Sequence, residues 1–437
     1  MWLRRLGEQC QAKAHRTGAE CFIDCRDKQS EKRLPVPHDI ALINTLAVGL
    51  STAFVFGWLA SRLHLPPLLG YLLAGIAVGP FTPGFVADVN LAPQLAEIGV
   101  ILLMFGVGMH FSMADLMAVK RIAVPGALLQ MAVATALGWA LAAWWGWSHA
   151  AALVFGLSLS VASTVVLLRA LEDQGGLHTE VGRIAVGWLI VEDLLMVLAL
   201  VVLPTLAPAA SGAQAGPADV WLALGITFAK VAAFVVFMLV VGLRFFPWLL
   251  KQVERTGSRE LFTLAVVAVA LGVALGSAAL FGVSFALGAF FAGIVIHESD
   301  LSERAATESQ PLQDLFGALF FVSVGMLLDP MVLVEKPVQV LMVTAIIVLG
   351  KSLASFVIVR ALGYPLGSAL TVSAALAQIG EFSFILAGLG ISLRLLPDEA
   401  NDLILAGALL SITLNPLMFK LVTRWTPKAQ ATHTARA

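Results

Sequence analysis

Two adjacent carboxylates, Glu192 and Asp193, lie in the middle of an apolar run that extends from Ile184 to Leu203. One helix needs about 20 predominantly apolar residues to cross a bilayer, and this run is long enough. A charge near the centre of a membrane costs free energy, so ionisable residues there usually belong to ion or proton pathways. The alternative is a structural ion pair with a neighbouring helix. The pair therefore predicts an intramembrane ion site.

The chain as a whole is also predominantly apolar. Of its 437 residues, 59% are hydrophobic and 13% are charged, which excludes an ordinary soluble domain. The apolar segments predict an all-α polytopic membrane protein with about thirteen transmembrane helices, here called spans 1 to 13. They lie near residues 41–60, 67–79, 95–111, 122–144, 150–170, 184–204, 220–243, 260–280, 283–296, 313–328, 338–360, 368–392 and 400–421.

Lysine and arginine residues in the connecting loops predict the orientation. The loops after odd-numbered spans contain eleven of these residues, whereas the loops after even-numbered spans contain two, Lys336 and Arg394. Loops rich in positive charge are retained in the cytoplasm. We therefore expect a cytoplasmic C-terminus and, because thirteen is odd, an external N-terminus.

Residues 1–39 do not fit the transmembrane pattern. They are polar, contain eight lysines and arginines and all three cysteines, and lack the apolar core of a secretory signal. We expect a disordered tail or an upstream start-site artefact, followed by a transmembrane domain over 40–424 and a cytoplasmic tail over 425–437. The cysteines lack a fourth ligand at zinc-site spacing, so no metal site is expected there.

The chain also resembles itself. Residues 69–76 match residues 287–294 at five of eight positions, and the pattern of residues 95–109 recurs 217 residues later. Equivalent spans are seven apart, an odd number, so the two halves must have opposite orientations. This is the inverted-repeat plan of secondary transporters, which place the substrate site at the membrane midplane. The predicted parts are a first repeat of spans 1–6 over 40–204, a linker helix over 218–246, and a second repeat of spans 8–13 over 258–421.

Spans 5 and 12 are equivalent in this repeat, and polar residues interrupt both. Ser163 and Thr164 of span 5 correspond to Gly380 and Glu381 of span 12. Transporters handle ions at membrane depth with interrupted helices whose free backbone groups line a cavity. Interhelical hydrogen bonding would explain the Ser/Thr cluster alone, but its pairing with span 12 favours a cavity. The predicted lining residues are Ser163, Thr164, Gln378, Gly380, Glu381 and Ser383.

Lys351 lies near the middle of span 11 and is the predicted counter-charge of the acid pair. Neighbouring residues on a helix point about 100° apart, so Glu192 and Asp193 cannot face one partner equally. We expect one acid to face the ion path and the other to lean toward Lys351. The spacing alone does not choose between them.

Several segments in combination resemble a known family. They are residues 70–75 with Gly79-Pro80, residues 99–105 and 162–166, the Glu192-Asp193 span, and residues 378–384. Together they resemble the Kef-type monovalent cation:proton antiporter-2 family, in particular its YbaL-like branch. The resemblance implies a sodium/proton-antiporter-like fold with crossed, broken helices 5 and 12 and a homodimer. It also implies that Asp193 binds the transported cation and that Lys351 is the family's lysine of span 11.

Two departures from the family pattern limit what this resemblance implies. Members that prefer potassium commonly have Gln before the ion-binding Asp, and electrogenic sodium antiporters have Asp there. Glu192 fits neither pattern, so the choice of K⁺ or Na⁺ and the stoichiometry stay open. Kef-type proteins usually continue into a nucleotide-binding domain, but no Gly-rich fingerprint follows span 13, so we expect no nucleotide cofactor.

The predicted function is exchange of K⁺ or Na⁺ for protons by alternating access at one carboxylate site. Either a proton or a cation neutralises the site, and competition between them couples the two fluxes. The alternative is an ion-coupled symporter of a small organic anion, although its pocket would favour cationic or neutral groups. Adjacent acids on one helix fit poorly with the shared-proton dyad of a hydrolase, so no enzyme is predicted. The expected partners are membrane lipid and a second copy, without nucleic acid.

Overall fold

A computed structural model of the chain describes residues 38–83, 91–109, 113–172, 174–176, 179–210 and 217–425. The chain divides into two units, Met1–Leu42 and Ile43–Ala437. Only residues 38–42 of the first unit are described, as the start of a helix, and the site discussed below lies in the second unit. The predicted N-terminal tail up to residue 37 and the predicted C-terminal tail from residue 426 lie outside the described residues.

The described residues form helices and turns, with no β-strand among them. The α-helices in chain order are α1 His38–Arg62, α2 Pro67–Val78, α3 Leu91–Met109, α4 Met113–Trp144, α5 His149–Ser158, α6 Thr164–Glu172, α7 Glu180–Ala210, α8 Pro217–Phe237, α9 Leu243–Glu254, α10 Arg259–Phe281, α11 Phe285–His297, α12 Ser302–Met326, α13 Val332–Glu335, α14 Pro337–Ala345, α15 Lys351–Ala361, α16 Leu366–Ala375, α17 Glu381–Ser392 and α18 Asp398–Trp425. Two π-helical turns, Met238–Gly242 and Ile346–Gly350, join α8 to α9 and α14 to α15.

Each of the thirteen predicted spans coincides with a described helix or with consecutive helices. Seven helical stretches are long and apolar enough to cross a membrane, and they correspond to spans 1, 4, 6, 7, 8, 11 and 13. Span 10 lies on α12, which has 25 residues, and shorter helices account for spans 2, 3, 5, 9 and 12. Span 5 consists of α5 and α6, and span 12 consists of α16 and α17. The all-helical polytopic architecture is therefore confirmed.

Glycines at two helix crossings show the internal repeat. A Cβ atom on Gly75 of α2 would lie 2.8 Å from the Cα of Gly325 in α12. In the same way, a Cβ on Gly293 of α11 would lie 2.9 Å from the carbonyl carbon of Gly108 in α3. The repeat relates Gly75 to Gly293 (293 − 75 = 218) and Gly108 to Gly325 (325 − 108 = 217). Small residues let membrane helices approach closely, so the two crossings are equivalent contacts of the two halves.

The helix interruptions follow the same repeat. Helix α5 ends at Ser158 and α6 begins at Thr164, whereas α16 ends at Ala375 and α17 begins at Glu381. Both the end before the interruption and the start after it are displaced by 217 residues (375 − 158 and 381 − 164). Spans 5 and 12 are therefore interrupted at equivalent points, where the sequence predicts it.

Candidate functional site

The acid pair lies on α7 beside both interruptions. Glu192 is 0% exposed and Asp193 is 3% exposed. Helix α7 packs against α4 and against the helices that carry the interruptions, α6, α16 and α17. The predicted carboxylates and the predicted interrupted helices therefore meet in one buried region.

Each acid contacts the interruption of span 5. Glu192 Oε2 accepts a hydrogen bond from the backbone N–H of Ala162 at 2.8 Å. Asp193 Oδ2 accepts one from the hydroxyl of Thr164 at 3.1 Å. The second oxygen of each carboxylate is buried and has no hydrogen-bond partner among the described residues. Such unsatisfied oxygens are costly unless they take up a proton or a cation, so both acids have binding capacity.

The two interruptions are joined directly to each other. The backbone N–H of Ser163 donates to Gln378 Oε1 at 2.8 Å, and Gln378 Nε2 donates back to the Ser163 carbonyl at 3.1 Å. A Cβ atom on Gly380 would lie 2.2 Å from the Cβ of Ser163. Only glycine fits this contact without a shift, because the side chain of Ser163 occupies the space. Ser163, Gln378 and Gly380 therefore hold the two broken helices together.

A third buried carboxylate lies at the same junction. Glu381 is the first residue of α17 and is 0% exposed. The hydroxyl of Ser163 accepts a hydrogen bond from the N–H of Val166 at 3.3 Å and donates its own proton to Glu381 Oε2 at 3.0 Å. Thr164 lies beside the same carboxylate, and the charge of Glu381 acts on Asp193. Glu381 therefore joins Glu192 and Asp193 in a group of three buried carboxylates, called the carboxylate cluster here.

Free oxygens complete the predicted lining. Glu381 Oε1 and the hydroxyl of Ser383 are buried without a hydrogen-bond partner among the described residues. The free oxygens of Glu192 and Asp193 are two further unpaired acceptors in the same buried region. The structure thus brings together all six predicted lining residues and the acid pair.

Lys351, the predicted counter-charge, lies at the interruption of span 12. Its ammonium donates to the backbone carbonyl of Gln378 at 2.9 Å, and its side chain is 0% exposed. Within the described part of the chain, the salt bridges closer than 4.0 Å do not include Lys351. Its charge acts on Glu192, whereas Asp193 interacts electrostatically with Glu192 and Glu381. Glu192 is therefore the acid on the Lys351 side.

Gln130 is a site residue that the sequence reasoning missed. It lies on α4, is fully buried, and donates from Nε2 to the carbonyl of Ser160 at 3.1 Å. This bond gives the carbonyl of Ser160, in the interruption of span 5, a hydrogen-bond donor. Lys351 does the same for the carbonyl of Gln378 in span 12. Asn415 of α18 likewise donates to the carbonyl of Ala374 at 2.8 Å. The available signal was Gln130 as the single amide of span 4, and an amide next to Pro416 in the middle of span 13.

The fold and the site together define a class of membrane protein. Two interrupted helices, related by an inverted repeat and joined around buried carboxylates, are the arrangement of secondary transporters. The chain belongs to the family described as sodium/hydrogen exchanger, transmembrane, whose profile matches residues 50–425. It is accordingly an integral membrane protein.

Individual relatives agree with this family. The chain is 58% identical over 393 residues to the Escherichia coli strain K12 protein named "Putative cation/proton antiporter YbaL"; the match covers 90% of this chain and 70% of YbaL. It is 33% identical over 386 residues to K(+) efflux antiporter 4 of Arabidopsis thaliana, covering 88% of this chain and 64% of that protein. The resemblance to the Kef-type antiporter family is confirmed.

Solved structures show the same fold. The sodium proton antiporter MjNhaP1 from Methanocaldococcus jannaschii, at pH 8, superposes with a TM-score of 0.68. The match covers 88% of this chain and 98% of that chain, at 16% sequence identity. The predicted sodium/proton-antiporter-like fold is therefore confirmed.

Proposed function

We propose that the protein exchanges a monovalent cation, K⁺ or Na⁺, for protons at a site centred on Asp193. The observation that carries this proposal is the buried carboxylate cluster at the junction of two broken helices. The Asp193 carboxylate has one oxygen on Thr164 and one without a hydrogen-bond partner among the described residues. The names of the E. coli and Arabidopsis relatives, each of which describes a cation antiporter, support the same activity.

Oxygen atoms around Asp193 are the proposed cation ligands. Monovalent cations in channels bind rings of oxygen atoms that replace their hydration shell. Thr164 contributes a hydroxyl, and Glu381 contributes a second carboxylate that interacts electrostatically with Asp193. Ser163 connects the two sides, because its hydroxyl bonds to Glu381 while its backbone bonds to Gln378. A dehydrated cation would thus be held by both halves of the repeat.

Glu192 has a different proposed role. Its carboxylate accepts from the N–H of Ala162 and interacts with the charge of Lys351. A buried charge is tolerated when it is paired and hydrogen-bonded. The charges of Glu192 and Lys351 thus offset each other behind the ion site without a direct salt bridge, and Asp193 is the acid that faces the cation. Lys351 also fixes span 12 through the Gln378 carbonyl.

Competition for one site couples the two fluxes. An unoccupied carboxylate cluster is costly to expose to the membrane interior, so the core changes orientation with a proton or a cation bound. Rocking of one bundle against the other around the site then gives alternating access. We further propose a homodimer in a bacterial inner membrane, with an external N-terminus and a cytoplasmic C-terminus, as the loop charges predict.

Everted membrane vesicles test the exchange. We expect that adding K⁺, Na⁺ or Li⁺ as the chloride dissipates a respiration-driven proton gradient, followed with a pH-sensitive dye, while choline chloride does not. Vesicles without the protein are the control. If none of the three cations dissipates the gradient, exchange is excluded. If the proton gradient dissipates only when an organic anion is added, the symporter alternative replaces cation exchange as the proposed function.

Glu192→Gln is expected to preserve exchange and to change its pH dependence or electrogenicity. The glutamine oxygen can still accept from the N–H of Ala162, but the charge opposite Lys351 is removed. The measurement is the exchange rate over a pH series, together with the response to a valinomycin-imposed potential. Complete loss of exchange in a folded variant would move the ion-binding role to Glu192.

A further inference from the structure

A groove of about 390 Å³ runs between α10 and the continuous helical stretch of α8 and α9, which contains the predicted linker helix. Its walls are apolar, and the region is called the linker groove here. One wall contains Phe234, Met238 and Leu249, and the other contains Gly272, Gly276 and Phe281. No described atom other than the local helix backbone lies within 4 Å of a Cβ placed on either glycine. The groove is therefore open along the small-residue side of α10.

A cation lies at one end of the linker groove. Lys230 precedes Phe234 by one helical turn, and its side chain is exposed. Its Nζ lies 3.7 Å from a Cβ placed on Gly282, the residue that ends α10 beside Phe281. Lys230 has no ion pair or hydrogen bond among the described residues. The end of an apolar groove thus carries an uncompensated positive charge.

The position of Lys230 along the helix matches the membrane thickness. Lys230 and Lys251 are 21 residues apart (251 − 230), which is about 30 Å at about 1.5 Å per residue. The hydrocarbon core of a bilayer is also about 30 Å thick. Lys251, in the last turn of α9, pairs with Asp300 at 2.7 Å, and both side chains are exposed. With Lys251 at one membrane surface, Lys230 lies at the level of the lipid headgroups on the other, beside Gly282 where α10 ends. The membrane-spanning part of this helix then begins about ten residues later than the predicted span of 220–243 (230 − 220).

We propose that the linker groove binds one acyl chain of an anionic phospholipid whose phosphate contacts Lys230. The positive charge at headgroup depth is complementary to the phosphate, and the apolar walls are complementary to the chain.

Native mass spectrometry of the intact purified protein tests this site, with phosphatidylglycerol and phosphatidylcholine added separately. We expect the wild type to retain phosphatidylglycerol about fivefold better, the ratio that about 1 kcal/mol for one lysine gives. Lys230→Gln should remove this preference, and Gly276→Leu should lower retention of both lipids by filling the groove. Lys120→Gln, at an exposed lysine of α4, is the matched control and should behave as the wild type.

Two results would overturn the proposal. Lys230→Gln could keep the full preference for phosphatidylglycerol, which would place the anionic site elsewhere. Gly276→Leu could leave lipid retention unchanged and convert dimers to monomers, which would make the groove an interface between copies. Lys230 is exposed, so its variant tests the site even if Gly276→Leu unfolds. Neither readout depends on transport, so the lipid site and the proposed exchange fail separately.

Discussion

Asp193→Asn is expected to reduce cation-dependent proton exchange to the level of vesicles that lack the protein. Asparagine has nearly the same shape and can still accept the hydrogen bond of the Thr164 hydroxyl through its amide oxygen. It carries no charge and does not titrate, so it can neither bind a cation as a counter-charge nor release a proton. The measurement is dissipation of a respiratory proton gradient by K⁺, Na⁺ and Li⁺.

A matched substitution separates loss of the site from a general effect. Asp398→Asn changes an exposed aspartate at the start of α18 and should leave exchange unchanged. The thermal unfolding temperature of the Asp193→Asn variant should be no lower than that of the wild type, because removing a buried charge also removes its desolvation cost. Full cation-dependent exchange in a folded Asp193→Asn protein would exclude Asp193 as the ion carrier.

Gly380→Ala is expected to lower exchange more than tenfold and to destabilise the fold by about 1–3 kcal/mol, the usual cost of overpacking. The new methyl group would lie 2.2 Å from the Cβ and 2.7 Å from the Oγ of Ser163. The broken helices must therefore separate, which lengthens the bonds from Ser163 to Gln378 and Glu381. Both quantities are measurable, by the gradient assay and by thermal unfolding in detergent.

The control for this variant lies on the same helix. Gly388 of α17 has nothing within 4 Å of its Cβ position, so Gly388→Ala meets no neighbour. Alanine is also the better helix former by about 1 kcal/mol, so this variant should be as stable as the wild type or more stable. If Gly380→Ala and Gly388→Ala behaved alike, the close contact between the interruptions would not be required for exchange.

The spans, the repeat and the acid pair could be predicted from the sequence because each depends on local chemistry. An apolar run of span length predicts a membrane helix wherever it occurs, and two acids inside it are costly whatever surrounds them. The 217-residue offset needs only comparison of the chain with itself. It placed the interruptions at Ser163 and Gly380, and the structure brings those two residues into contact.

The partners of the site residues could not be predicted in the same way. The spacing of Glu192 and Asp193 fixes the angle between them but not the rotation of α7, so it could not say which acid lies near Lys351. Nor did it show that Lys351 bonds to the Gln378 carbonyl. That bond exists because an interrupted helix leaves carbonyls that need donors, and only packing decides which side chain reaches them.

By itself, the sequence determined that the chain crosses the membrane as an inverted repeat. It also determined that the residues with the highest free-energy cost of burial, Glu192 and Asp193, lie at mid-span. Only the tertiary structure decided which groups meet there. It added Gln130, gave Glu381 a place in the carboxylate cluster, and set Glu192 rather than Asp193 on the Lys351 side. The reason is physical: burial cost belongs to each residue, whereas hydrogen bonds between residues 215 positions apart depend on how the helices cross.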